Sequence, residues 1–228
     1  MKKSVDAPLV PLAFILFGLL GLVSAIKVGE WTNFIFPMLF LLLAAVYLHT
    51  PLIGKYRIIK KSSCGIKYRK KCSNFRFRNW SWSFLIEIAR HLQHPGKIIG
   101  IDIWNKQDQA NNSFENTKKL IVEQQLADVS ELLTADMVKL PFKGNNFNYV
   151  VASLSIHNLK PAYKRQAAIQ EAFRVLKKGG RMVIIDIEHV GEYQQFLQQL
   201  GAKEISISNT GINGMYAGLF TKVLIAKK

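Results

Sequence analysis

Hydrophobic and polar positions divide the chain into two unlike regions. Pro8 to Ile26 carries no charge, and a second uncharged run covers Phe34 to Tyr47 and extends to about Ile53. Each run approaches the roughly 20 residues that a helix needs to cross a bilayer core. Between them lies only Lys27-Val-Gly-Glu-Trp-Thr-Asn33, a short polar turn whose tryptophan suits an interface. The pattern predicts a transmembrane helical hairpin over residues 1–53. A cleaved signal peptide is the competing reading of the first run, but its apolar stretch outlasts a usual signal core and a second span follows at once. Lys2 and Lys3 precede the first span, Lys55, Arg57, Lys60 and Lys61 follow the second, and the turn balances one Lys against one Glu. The positive-inside rule then predicts a two-span membrane protein with both termini cytoplasmic.

From Phe84 the period changes. Phe84–Leu92 has apolar residues at helical spacing and is stopped by Pro95-Gly96, and Lys97–Ile103 is a short β-branched strand. A helix over Asn112–Glu123, strands over Val129–Thr134 and Phe147–Leu154, and a helix over Arg165–Leu176 follow. Lys177-Lys-Gly-Gly180 stops that last helix, and Arg181–Asp186 is the next strand. A helix from about Gly191 to Leu200 and strands near Glu204–Ser208 and Phe220–Ala226 close the chain. Strands separated by helices predict an α/β fold, a doubly wound, mostly parallel sheet. The last two strands, with no helix between them, predict a terminal antiparallel hairpin.

Charge changes the picture in one place. The formal net charge is +16, and between Lys55 and Arg78 there are ten Lys/Arg and no acid. Because this stretch directly follows an apolar span, anionic membrane lipid is its expected partner, and no nucleic-acid partner is expected. Cys64 and Cys72, the two cysteines of the chain, read as reduced thiols. The sequence offers no metal-ligand cluster, hydrolase triad or phosphate-cradling loop.

Four pieces, in order, carry a resemblance. They are Gly100-Ile-Asp-Ile103 at the end of a strand, Thr134-Ala-Asp-Met137 ahead of Leu140-Pro-Phe142, the strand Phe147–Leu154 with Ser-Ile-His-Asn158 after it, and Glu171-Ala-Phe-Arg-Val-Leu-Lys-Lys-Gly-Gly-Arg181. Together they resemble class I SAM-dependent methyltransferases, of the ubiquinone/menaquinone-methyltransferase-like kind, over Phe84 to Lys228. The resemblance implies a Rossmann-like sheet and S-adenosyl-L-methionine (SAM) as cofactor. Asp102 would take the ribose hydroxyls, with Ile103 beside it, by the logic of the ribose-binding acid in dinucleotide folds. Asp136 would accept from the adenine amino group, Met137 would pack on the ring, and Ser153 would lie at the cofactor-facing end of its strand. The methyl acceptor is expected to be a small or lipid-soluble molecule. His157 is the candidate general base, with a hydrogen-bonded structural histidine as the alternative, and His189 and Tyr193 are candidates for the acceptor pocket. Asn148 stands where the family usually has an acid.

The larger departure lies upstream, in residues 54–83, read as a basic linker with a degenerate first strand and cofactor loop. The family's glycine-rich loop should open the helix that continues at Phe84, because backbone must pass close to the cofactor there. Asn74-Phe-Arg-Phe-Arg-Asn-Trp-Ser-Trp-Ser83 stands in its place. Tryptophan has the single codon TGG, so a reading frame one base later turns Trp80 and Trp82 into Gly-x-Gly. Permitted codons for the neighbours then spell Ile-Leu-Asp-Leu-Gly-Thr-Gly-His-Gly-Ala in register with Phe84. Two readings stand: a frame-shifted segment over about 62–83, and a divergent loop. The first implies a competent methyltransferase gene, and the second a binding protein with a damaged cofactor site.

Overall fold

The computed structural model describes residues 9–65, 75–79, 82–104, 113–216 and 219–228. Two units form, one from residues 1–60 with 210–220, the other from residues 61–209 with 221–228.

In the first unit, helix α1 (Leu9–Val28) and helix α2 (Ile35–His49) are joined by a 3-10 turn at Trp31–Phe34. A π-helical turn, Thr50–Gly54, continues α2 into α3 (Lys55–Gly65). Both apolar helices are long and apolar enough to cross a membrane, the second as part of a continuous helical run over Trp31–Lys60. Small residues set their contact. A Cβ on Gly18 would lie 2.7 Å from Leu41, and one on Gly21 2.7 Å from Pro37 Cγ. Ala25 and Ala44 are buried in the same seam, and Phe40 packs against Phe14 and Phe17 with ring centroids 6.2 and 6.0 Å apart. Close backbone approach through small residues is how helices associate where no hydrophobic drive separates them from lipid. The larger apolar side chains, among them Leu16, Leu20, Val23, Phe36, Leu39 and Leu42, face outward. So broad an exposed apolar surface is foreign to a water-soluble exterior.

The second unit is a seven-stranded sheet in the order β3-β2-β1-β4-β5-β9-β6. Strands β1 (Phe75–Asn79), β2 (Ile98–Asp102), β3 (Ser130–Thr134), β4 (Phe147–Ser153) and β5 (Leu176–Asp186) are parallel. β9 (Lys222–Lys227) runs antiparallel to both β5 and β6 (Lys203–Asn209). This is the expected Rossmann-like sheet with its antiparallel hairpin. Helices α4 (Ser83–Ala89), α5 (Phe114–Glu123), α6 (Ala162–Val175) and α7 (Val190–Gln199) fill the connections. The core joins Phe147, Val150, Ile169, Phe173, Ile184, Tyr193 and Leu224. At roughly 1.5–3 kcal/mol for each large side chain, burial of this kind is the main force holding the layers together.

The structure refines the sequence reading in four places. β1 occupies a central position between β2 and β4, although Phe75–Asn79 alternates with arginine and lies in the segment read as degenerate. Residues 66–74 and 80–81 lie outside the described residues. α6 starts at Ala162 rather than Arg165, because Pro161 takes an extended N-cap conformation that suits its fixed φ. The helix ends at Val175 with Leu176 already extended, so Lys177–Gly180, expected as the helix stop, lies inside β5. Gly179 has φ +75°, a conformation that favours glycine, and its N–H donates to the Lys228 carbonyl at 2.8 Å. Residues 210–220 interrupt the terminal hairpin with a 3-10 turn (Gly211–Gly214) and a two-residue pair, β7 (Met215–Tyr216) with β8 (Leu219–Phe220).

Two of the motif pieces hold each other. Arg174 in α6 donates from Nε to Glu171 Oε1 at 2.6 Å and from Nη2 to Glu171 Oε2 at 2.9 Å. Its Nη1 donates to the Phe142 carbonyl at 3.0 Å, while Glu171 Oε2 accepts the Leu140 N–H at 2.8 Å. The pair thus pins the Leu140-Pro141-Phe142 turn to the helix. The hydrogen bond that Arg174 donates to Glu171 raises the Arg174 pKa, so this cation stays charged.

Candidate active site

Strand order reverses between β1 and β4, and ligands of open α/β sheets bind in the crevice outside the carboxyl ends at such a switch point. Register places Asp102 level with Thr134, and Ser153 level with Asn79 and Ile185, so the ends of β1 to β5 share one edge.

On the β2 side, Asp102 is buried and its Oδ1 accepts the Trp104 N–H at 2.8 Å. Ile103 is exposed next to it. Asp136 is exposed beyond β3, and its Oδ1 accepts the Val138 N–H at 3.1 Å, which fixes the turn. Met137, expected against an adenine ring, has its side chain in the sheet core with Ile101, Leu140 and Val150. Trp104, which sequence reasoning did not single out, donates from Nε1 to Thr134 Oγ1 at 2.8 Å. Its ring stacks on Trp82 at 5.2 Å with a 17° interplanar angle and meets Phe114 edge-on.

On the β4–β5 side, a compact polar group forms. Asp186 at the end of β5 is 0% exposed. Its Oδ1 is hydrogen-bonded to His157 Nδ1 and accepts the Ile187 N–H at 2.9 Å. Its Oδ2 accepts the His157 N–H at 3.2 Å and the Tyr193 hydroxyl at 3.3 Å. Four donors thus converge on one buried carboxylate, as a buried charge requires. Burial, and next the charge of Asp186, push the Tyr193 pKa far up, so its hydroxyl stays a donor. Tyr193 is therefore a fully buried support for Asp186 rather than an acceptor-pocket residue, as it was expected to be. Behind it, buried Arg165 donates from Nε and Nη2 to the two Glu192 oxygens at 3.2 and 3.0 Å, joining α6 to α7. His189 sits in a left-handed conformation at the start of α7, with Nδ1 3.4 Å from Glu192 Oε2.

An ionised carboxylate only accepts, so Asp186 fixes the proton of His157 on Nδ1 and leaves Nε2 with its lone pair. The His157 side chain is 12% exposed. This is the geometry of a carboxylate-oriented base. His157 was legible as a residue just past a strand. Asp186 was not, because 29 positions separate it from His157 and only the β4–β5 pairing brings them together.

A methyltransferase domain model matches residues 83–184. The chain carries a class I SAM-dependent methyltransferase domain. The match begins at Ser83, the last residue of the segment in which the glycine loop is expected. A demethylmenaquinone methyltransferase of Lactiplantibacillus plantarum is 32% identical over 101 residues, which cover 44% of this chain and 39% of that one. A ubiquinone/menaquinone biosynthesis C-methyltransferase of a Ruegeria species is 32% identical over 83 residues, 36% of this chain and 32% of that one. The chain thus spans well under half the length of these relatives. In fold, the methyltransferase domain resembles phosphoethanolamine N-methyltransferase 2 of Haemonchus contortus, solved with SAM, at TM-score 0.60 and 10% identity, over 76% of this chain and 52% of that one.

The cofactor of the family is SAM, and the residues of this methyltransferase domain meet it unevenly. Asp102 and Asp136 offer carboxylates at the ends of β2 and β3, the chemistry a ribose and an adenine amino group require. Trp82, by contrast, lies in the segment that replaces the glycine loop. It is 8% exposed and caps α4, and its Cζ3 lies 2.7 Å from where a Gly100 Cβ would be. An indole thus packs against β2 from the segment where the family keeps glycine.

Proposed function

We propose that this chain is a membrane-tethered SAM-dependent C-methyltransferase whose acceptor is lipid-soluble and of quinol type, with His157 as its base. The carrying observation is the His157–Asp186 pair at the carboxyl edge of the sheet. The activities for which the relatives are named support the acceptor class, and the two outward-facing apolar helices support the membrane tether. The basic residues on either side of the hairpin support cytoplasmic termini.

SAM supplies an electrophilic methyl on a sulfonium. His157 Nε2 takes a hydroxyl proton from the acceptor, and the resulting charge spreads to the neighbouring ring carbon. That carbon is the nucleophile that the methyl of a bound SAM would meet, the thioether would be the leaving group, and the ring proton would then depart to restore aromaticity. Asp186 stabilises the imidazolium so formed, while Tyr193 and the Ile187 N–H hold Asp186 in place. General-base assistance of this kind contributes about 10²–10⁴-fold.

A second reading is favoured by Trp82: a protein that has kept the fold and the dyad but whose indole-filled loop denies SAM a productive seat. Transfer of tritiated methyl from SAM to demethylmenaquinol, by the full chain in lipid nanodiscs, separates the two. Lipid-extractable label that disappears in His157→Gln supports the enzyme. No transfer as written, with transfer once Trp80 and Trp82 are both replaced by glycine, supports the second reading.

A further inference from the structure

Residues Thr210 to Phe220 contain no charged side chain. They leave the sheet at the end of β6, re-enter it at β9, and belong to the unit built by the helical hairpin. Their contact with that hairpin is specific. The buried Thr50 hydroxyl donates to the Met215 carbonyl at 2.9 Å, and the Ile212 carbonyl lies 3.4 Å from the same oxygen. Gly54 is required for the fit, because a Cβ there would stand 2.0 Å from the Asn213 carbonyl oxygen. The seat therefore covers the last turn of the apolar run, just before the chain turns basic at Lys55, Arg57 and Lys60.

While its backbone is engaged there, the excursion turns apolar side chains outward. Ile212 is 67% exposed, and Leu219 and Phe220 are each 44% exposed. Arg57 and Lys60, on the helical turns that follow the seat, are also exposed. Exposed apolar side chains seated at the end of a membrane-length helix that runs on into exposed cations match the boundary between acyl chains and anionic head groups.

We propose that Thr210–Phe220 is a second, non-spanning membrane contact. Ile212, Leu219 and Phe220 insert at the head-group boundary of the leaflet from which α2 emerges, and Arg57 and Lys60 meet anionic lipid. The occupant of this surface is lipid, and the proposal rests on the hairpin crossing the bilayer. The insertion depth expected of such an element is about 5–10 Å.

The test uses the full chain with Cys64 and Cys72 changed to serine, reconstituted in vesicles of phosphatidylcholine and phosphatidylglycerol. A single cysteine at Ile212→Cys, Phe220→Cys or, as reference, Leu20→Cys within α1 carries an environment-sensitive fluorophore. The expected result is quenching of the 212 and 220 probes by shallow acyl-chain nitroxides at least about twofold stronger than by deep ones, with the reverse order at 20. Quenching at 20 together with free access of aqueous iodide to 212 and 220 overturns this proposal and leaves the membrane-spanning reading standing. No lipid quenching at any of the three overturns both.

Discussion

Asp186→Asn replaces the buried carboxylate with a group of the same shape and no charge. Two donors reach each oxygen: the Ile187 N–H and the His157 ring at Oδ1, and the His157 N–H and the Tyr193 hydroxyl at Oδ2. With the amide nitrogen on the Oδ1 side, the Ile187 N–H faces another donor, and the imidazole must accept at Nδ1, which moves its proton to Nε2. With the nitrogen on the Oδ2 side, the tautomer survives, but the His157 N–H loses its acceptor. Either way one backbone N–H is orphaned, at a cost of about 1–3 kcal/mol, partly offset because a charge is no longer buried. Either way the base weakens, through the wrong tautomer or through an imidazolium without its counter-charge. We expect methyl transfer to fall by about 10²–10⁴, equivalent to roughly 3–5 kcal/mol of barrier. The assay pairs tritiated-methyl transfer with thermal unfolding, and histidine ¹⁵N shifts report the tautomer. If Asp186→Asn and His157→Gln lose stability yet keep transfer within about twofold of wild type, the dyad is structural and the reasoning fails.

Other expectations follow from the same contacts. Glu171→Ala frees Arg174 and orphans the Leu140 N–H, and should destabilise the methyltransferase domain by about 2–3 kcal/mol in urea titration; a loss below half a kcal/mol would contradict the pinning role. Lys228 Nζ donates to the carbonyls of Phe173, Arg174 and Leu176 at 2.8, 3.1 and 2.8 Å, capping α6, so Lys228→Met should cost about 0.5–1 kcal/mol. Burial, then repulsion from Arg174 and Lys178, lower the Lys228 pKa from 10.5. The unfolded chain then holds this proton more tightly, so the stability gap between wild type and Lys228→Met should widen as pH rises toward 10.5. A gap that narrows would contradict that sign. Gly18→Leu places a side chain against Leu41 and should separate α1 from α2, read as loss of a disulfide between cysteines engineered across the seam at Gly21 and Pro37, where a Cβ on Gly21 would lie 3.3 Å from Pro37 Cβ.

Much of the fold was legible because period and punctuation agreed. The uncharged runs and the β-branched Ile98–Asp102 each state their own conformation. β1 was not, because Phe75–Asn79 alternates with arginine and takes its place by backbone pairing with β2 and β4. The excursion at 210–220 has neither a helical nor a strand period, and its role rests on Thr50 and Gly54, some 160 positions away. In the site, Asp102 and His157 were readable from their places after strands. Asp186 needed the sheet register, and Trp104 needed the stack with Trp82.

The most direct test of the account is a calorimetric titration of the full chain, in nanodiscs, with SAM. The account predicts weak but saturable binding, weakened at least about tenfold by Asp102→Ala through the lost ribose contact and strengthened at least about tenfold by Trp82→Gly. Absence of saturable binding in wild type and Trp82→Gly alike, or indifference to Asp102→Ala, would contradict it.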